Sequence, residues 1–237
     1  MNHKAILYFS LLAICFSAFL TSCSSDDDNN NGNETSTLAN IMVVNASPGI
    51  SGYDFYIDDA LQNGNAINYN GSSPYIQSGS GNQNLKLNLT NTAVNVINRD
   101  EDLELNGNYT LITMDTAGSI ASQVLIDDLS EPILGKSHIR LIHASHNSPA
   151  IDVVNLADTS VVFGNISFRQ ATSFKPFNVG SYALGYRLLG DSNITSLSTP
   201  VTVANQGIYT IVVSGFNSDS SGTAVSSLNV QLIDNVQ

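Results

Sequence analysis

The chain has 237 residues and a formal net charge of −12, with only eight Lys and Arg. That balance excludes a nucleic-acid binder, whose partner's phosphates must be met by clustered cations. Only 12% of residues are charged, and both cysteines, Cys15 and Cys23, fall in the first 23 positions. The rest of the chain therefore has no thiol for a disulfide, a nucleophile or a zinc site.

The first predicted element is an address. Ala5 to Leu20 is an apolar run broken only by Ser10 and Ser17. It is shorter than the roughly 20 residues that a spanning helix needs, and it reads as a secretory signal. Leu20-Thr21-Ser22-Cys23 resembles a bacterial lipobox. Residues 1–22 are then the lipoprotein signal peptide, and Cys23 is the lipidation site and first mature residue, carrying palmitate or similar chains. The membrane is a partner through this anchor.

Residues 23–38 follow as an acidic, low-complexity segment with Asp26-Asp27-Asp28-Asn29-Asn30-Asn31 at its heart. It is too poor in apolar groups to fold, so it reads as a disordered tether, about 20–25 Å in r.m.s. span. Acidic residues just after the lipidated Cys resemble the export tag of some surface lipoproteins. The expected location is the outer membrane, facing the cell exterior rather than the periplasm. Asp27-x-Asn29-x-Asn31-Gly32 imitates half of a calcium loop. Leu38 stands where the bidentate Glu should be, which rules the loop out.

From residue 39 the sequence alternates short apolar runs with turn chemistry. Ile41 to Val44 is a buried-strand candidate, ended by Ser47-Pro48-Gly49. Tyr53 to Ile57 alternates, and Asp58-Asp59 closes it. Residues 60–84 are rich in Asn, Gly and Ser and hold only weak strands. Leu85 to Leu89, Val94 to Ile97, Tyr109 to Met114 and Ile120 to Ile126 complete the set, with Asn106-Gly107 as a turn. No stretch has helical period.

A second copy begins after residue 132. Asn45 to His143 and Asp54 to Asp152 are both separated by 98 positions. Gly180-Ser-Tyr182 aligns with Gly81-Asn-Gln83, and Gly207-Ile-Tyr209-Thr210 with Gly107-Asn-Tyr109-Thr110. Gln231-Leu-Ile-Asp234 aligns with Val124-Leu-Ile-Asp127 at an offset of 107. The drift in offset implies small insertions in surface loops. The predicted fold is all-β: two tandem antiparallel β-sandwich domains, Ig-like or transthyretin-like, over residues 39–132 and 133–237.

His143-Ala-Ser145, Asp152, Gly180-Ser-Tyr182 and Gly207-Ile-Tyr209-Thr210 resemble the bacterial extracytoplasmic family called domain of unknown function 4397. The first copy departs from it, with Asn45 where His is expected, and the second has His146 where Pro is expected. The resemblance implies fold and location. It implies no catalytic residue.

The candidate site residues are read as structural polar pairs, His143 with Asp152 and Asn45 with Asp54, satisfying polar groups between strands. His138, His143 and His146 invite a metal reading, but His138 and His143 are five apart and face opposite sides of a strand. No metal or cofactor is expected. Ser145, His143 and Asp152 make a nucleophile triad only on paper, with no strained elbow to present the serine. Asp58-Asp59, Asp100-Glu101-Asp102 and Asp127-Asp128 are acidic clusters that would suit a calcium-stabilised adhesin. The expected function is a non-catalytic, lipid-anchored surface module with a protein or glycan partner, with a surface hydrolase as the alternative.

Overall fold

The structure, a computed structural model, describes residues 38–197, 200–216 and 228–236. The signal peptide, Cys23 and the acidic segment up to residue 37 lie outside the described residues. All regular structure among the described residues is β, as the sequence pattern requires.

The first repeat comprises β1 (Leu38–Asn45), β2 (Gly52–Ile57), β3 (Ala60–Leu61), β4 (Ile67–Asn68), β5 (Gly71–Ser72), β6 (Ile76–Gly79), β7 (Gly81–Leu89), β8 (Asn95–Leu103), β9 (Asn108–Met114) and β10 (Ala121–Ile126). The second comprises β11 (Lys136–His143), β12 (Ile151–Asn155), β13 (Val161–Ile166), β14 (Lys175–Asn178), β15 (Gly180–Tyr182), β16 (Leu184–Leu188), β17 (Thr195–Ser196), β18 (Val201–Val203), β19 (Ile208–Ser214) and β20 (Asn229–Asp234). In the first repeat β10-β9-β1 with β5 and β6 form one sheet, and β3-β2-β7-β8 with β4 form the other. The second repeat matches it with β14-β11-β19-β20 facing β13-β12-β16-β17 and the short β15-β18 pair.

One pairing in each repeat is not antiparallel. β1 runs parallel to β9, and β11 runs parallel to β19. The cause is connectivity. The chain leaves β1 for the facing sheet and comes back through β8 to the end where β1 began, so β9 must start from that same end. Parallel neighbours need a long crossover; β2 to β8 supply it in the first repeat and β12 to β18 in the second.

β1 and β11 are buried on both faces. Ile41 and Val43 point into the core of the first sandwich with Tyr53, Phe55, Leu85, Leu87 and Leu111. Ile139 and Leu141 do the same in the second, with Val153, Phe163, Leu184 and Ile211. The opposite faces meet each other: Met42, Val44, Ala46, Ile112 and Met114 form one cluster with Ile142, Ala144, Val212 and Ile233. This is why Ile41 to Val44 and Ile139 to Ala144 are unbroken apolar runs rather than alternating ones. The repeats belong to one compact unit, with a shared apolar seam between the β1 and β11 sheets.

Each repeat also carries a tyrosine corner. The hydroxyl of Tyr109 accepts the Glu104 amide at 2.8 Å, and that of Tyr209 accepts the Ala204 amide at 3.1 Å. The rings fold back over Gly107 and Gly207, where a Cβ would lie 2.6 and 2.5 Å from ring carbons. That close approach explains the Gly-x-Tyr spacing in both copies.

Candidate functional site

The most heavily engaged polar groups lie at the seam. Arg140 comes from β11, whose seam-facing positions are His138, Arg140 and Ile142. Its Nε donates to Thr210 Oγ1 at 2.9 Å and its Nη2 to Thr110 Oγ1 at 2.9 Å. Its Nη1 lies 2.6 Å from Asp127 Oδ1, a close contact of charges without the alignment of a hydrogen bond. Asp127 Oδ2 accepts from Thr110 Oγ1 at 2.6 Å and from the Tyr75 hydroxyl at 2.5 Å. Asn235 accepts from Thr210 Oγ1 at 2.7 Å and donates to Tyr75 Oη at 3.1 Å. Phe174 lies 4.7 Å beneath the guanidinium. Arg140 is 2% exposed and Asp127 4%. Burial first, and then the charge of Asp127, push the Tyr75 phenol well above its ordinary range, so it stays a donor.

Strand register shows where this network came from. Met42 faces Thr110 across β1 and β9, and Arg140 faces Thr210 across β11 and β19. Leu125 faces Thr110, and Ile233 faces Thr210. Arg140 thus occupies the place of Met42, and Asp127 the place of Asn235. The sequence alignment that set Asp127 against Asp234 is one residue out of register, an error that hid the pairing. Tyr75 likewise holds the place that Phe174 has in the second repeat, since Ile41 faces Ile76 and Ile139 faces Lys175. A seam between near-equivalent faces has diverged into one cation from the second repeat and one anion from the first.

The predicted polar pairs are not brought together. The Ser145 amide donates to His143 Nδ1 at 3.2 Å, and His143 Nε2 bonds the Pro149 carbonyl at 3.2 Å. With Nδ1 accepting, Nε2 carries the proton and the ring is neutral. Burial holds the imidazole below its usual range, and the Pro149 bond offsets this only in part. Asn45 does the same work in the first repeat: its Oδ1 accepts the Ser47 amide at 3.2 Å and its Nδ2 donates to the Ile67 carbonyl at 3.0 Å. His and Asn are interchangeable here because each offers one acceptor and one donor. The two Asp residues pin turns instead. Asp54 accepts the amide of Asn91 at 2.9 Å, and Asp152 that of Asn165 at 2.8 Å. Both Asn have positive φ, 59° and 55°. Asp152 also pairs with Arg187 at 2.9 Å.

The remaining candidates scatter. His138 and His143 sit on opposite faces of β11, as their spacing requires. His146 stands edge-on to Phe216, with ring centroids 5.6 Å apart, and 3.5 Å from Asp115 Oδ1. Ser145 Oγ is buried and has no hydrogen-bond partner, so it does not meet the His143 ring. Among the described residues no three His, Cys, Asp or Glu side chains converge as metal ligands. Asp100, Glu101 and Asp102 are not in a loop. They continue β8, where Asp100 faces Asn84 and Asp102 faces Asn82 across β7. Their charge does not end the strand, because the outer face of the sheet is solvated. Glu101 is bound instead to Arg99, and Asp59 to Lys86.

One open cleft of about 530 Å³ is lined by residues of the Asn- and Gly-rich 62–76 segment, including Gln62, Asn65, Asn68, Ser72 and Ile76. Its walls carry amide and hydroxyl groups and no charge. Asn63 at its edge is fully engaged, accepting the Phe55 amide and donating to the Tyr53 and Asn65 carbonyls.

Two copies of one sandwich, each with a tyrosine corner and a polar side chain at the end of its first strand, define a tandem β repeat protein. The chain belongs to the family described as domain of unknown function DUF4397, which matches residues 39–154 and 138–231. No curated protein matches it.

Proposed function

We propose that the protein is a non-catalytic module, anchored through lipid on Cys23 at the outer membrane and facing the cell exterior, that binds a protein or glycan partner. The observation that carries this reading is how the buried polar groups are used. Arg140 neutralises Asp127, His143 ties down two backbone groups, and Asp152 holds a turn and Arg187. Each of these contacts stabilises the fold. A hydrolytic centre instead needs a nucleophile and a base within reach of each other in an open pocket. The neutral cleft of the 62–76 segment suits a neutral polar ligand such as a glycan, held by amides and hydroxyls. The low charge and Asn-rich surface favour hydrogen-bonded over electrostatic recognition.

The test uses intact cells. Radiolabelled palmitate should enter the wild-type chain and not Cys23→Ser, and external protease should remove the protein from unbroken cells. A glycan panel should then retain the wild-type chain and release Asn65→Trp, which fills the cleft. Substrate turnover abolished by one side-chain change would refute the non-catalytic reading.

A further inference from the structure

The strands place one end of the molecule apart from the rest. β1, β9, β11 and β19 all start there, the link between the repeats crosses it, and β20 ends on it. Backbone bonds fix the assembly: the Asn106 amide reaches the Leu38 carbonyl, the Asp127 amide the Asn108 carbonyl, the Gln206 amide the Lys136 carbonyl, and the Asn235 amide the Ile208 carbonyl. Val179 joins through its amide to the Gly135 carbonyl.

This end is studded with apolar side chains that none of the described residues covers: Leu38, Leu105, Ile133, Leu134, Val179 and Val236. Leu134 is 81% exposed and Ile133 73%. Both repeats contribute, so the feature belongs to the assembled body rather than to one loop. Single exposed apolar residues are ordinary, but their concentration at one pole marks an interaction surface.

The chain itself indicates what covers it. Leu38, the first described residue, lies on this pole, and Cys23 is fifteen residues upstream. As coil, such a segment has an r.m.s. span of about 20–25 Å. An acyl anchor on Cys23 would therefore lie nearer on average to this pole than to the opposite one, which is a nine-residue strand away at roughly 3.3 Å per residue. We propose that the pole bearing Leu38, Leu105, Ile133, Leu134, Val179 and Val236 rests in the lipid interface, so that the molecule stands with its β7–β8 turn outward. This rests on the lipid-anchor reading above. Glu104, Asp128, Glu131 and Asp234 lie at this end with Lys136, so the contact is apolar and not an attraction to anionic headgroups. It should be insensitive to salt.

The chain contains no Trp, which makes a single introduced Trp an unambiguous reporter. Leu134→Trp places it on the pole, and Val94→Trp in the exposed β7–β8 turn at the far end. The acylated full-length protein is reconstituted into phosphatidylcholine vesicles containing brominated lipid. Leu134→Trp should emit at shorter wavelength and be quenched several-fold more than Val94→Trp, at low and high salt alike. Val94→Trp also controls for the lipid affinity of indole itself. Equal quenching of the two, or an unquenched Leu134→Trp on an acylated chain, would overturn the orientation while leaving the anchor intact. Mass analysis of the N-terminal peptide is the separate check: a chain without acyl groups would overturn the anchor reading and this proposal with it. Ile133→Trp serves as a second reporter should Leu134→Trp fold poorly.

Discussion

Removing one half of the seam's ion pair should damage the protein far more than removing both halves. Arg140→Met leaves the Asp127 carboxylate buried against Tyr75 and Thr110 with no counter-charge, and frees the hydroxyls of Thr110 and Thr210 from the guanidinium. Asp127→Asn leaves a cation buried over Phe174. Breaking a buried pair from one side costs about 3–5 kcal/mol, whereas a matched neutral replacement is often harmless or stabilising. Here the protein supplies the neutral replacement itself, because Met42 and Asn235 occupy the equivalent places. Arg140→Met with Asp127→Asn should therefore lie within about 1–2 kcal/mol of wild type, giving a coupling of several kcal/mol. For a body of this size each kcal/mol shifts Tm by roughly 2–4 °C. Each single variant should thus melt about 10 °C lower, and the double variant near wild type. Calorimetry or urea melts of the mature chain would show it. Additive losses in the double variant would refute the argument. The double variant should also lose discrimination: with both faces alike, each repeat can pair with its own kind, and sizing columns should reveal intermolecular species that the unlike charges suppress in wild type.

Three further expectations follow from the same contacts. Gly207→Ala drives a methyl into the Tyr209 ring and should destabilise by about 2 kcal/mol or more, while Tyr209→Phe, which loses only one hydrogen bond, should cost about 1 kcal/mol in urea melts. His143→Ala strands the Ser145 amide and takes one of two donors from the Pro149 carbonyl, which keeps Ser148 Oγ; it should cost about 1–3 kcal/mol, and His143→Asn should recover much of it, as Asn45 does in the first repeat; equal losses in the two variants would contradict this. The depressed folded pKa of His143 means that its stabilising contribution is full above its unfolded value of about 6.5 and lost as pH falls towards the folded value, by at most 1.36 kcal/mol per pH unit; His143→Asn should remove that slope from stability measured between pH 7 and pH 5.

Much of this was legible in the sequence because local rules governed it. Strand runs such as Leu85 to Leu89 and the Gly-x-Tyr spacing report side-chain alternation and close ring contact, which depend on near neighbours. The 98-residue period exposed the duplication. The seam was not legible. Arg140 sits in an apolar run and Asp127 beside another acid, and only the assembled repeats bring them to 2.6 Å. The pairing of His143 with Asp152 failed for a related reason. Equal spacing in two copies shows that the positions are equivalent, not that they touch. His143 found closer partners two and six residues along the chain, and Asp152 found a turn. The parallel pairing of β1 with β9 is likewise a property of the path between them, invisible to any window along the chain.

The most direct measurement is the mass of the mature protein's N-terminal peptide, taken from membranes of the native host. The account predicts a chain that begins at Cys23 and carries acyl groups on it. A mature chain that begins at any other residue, or a Cys23 with a free thiol, would contradict it.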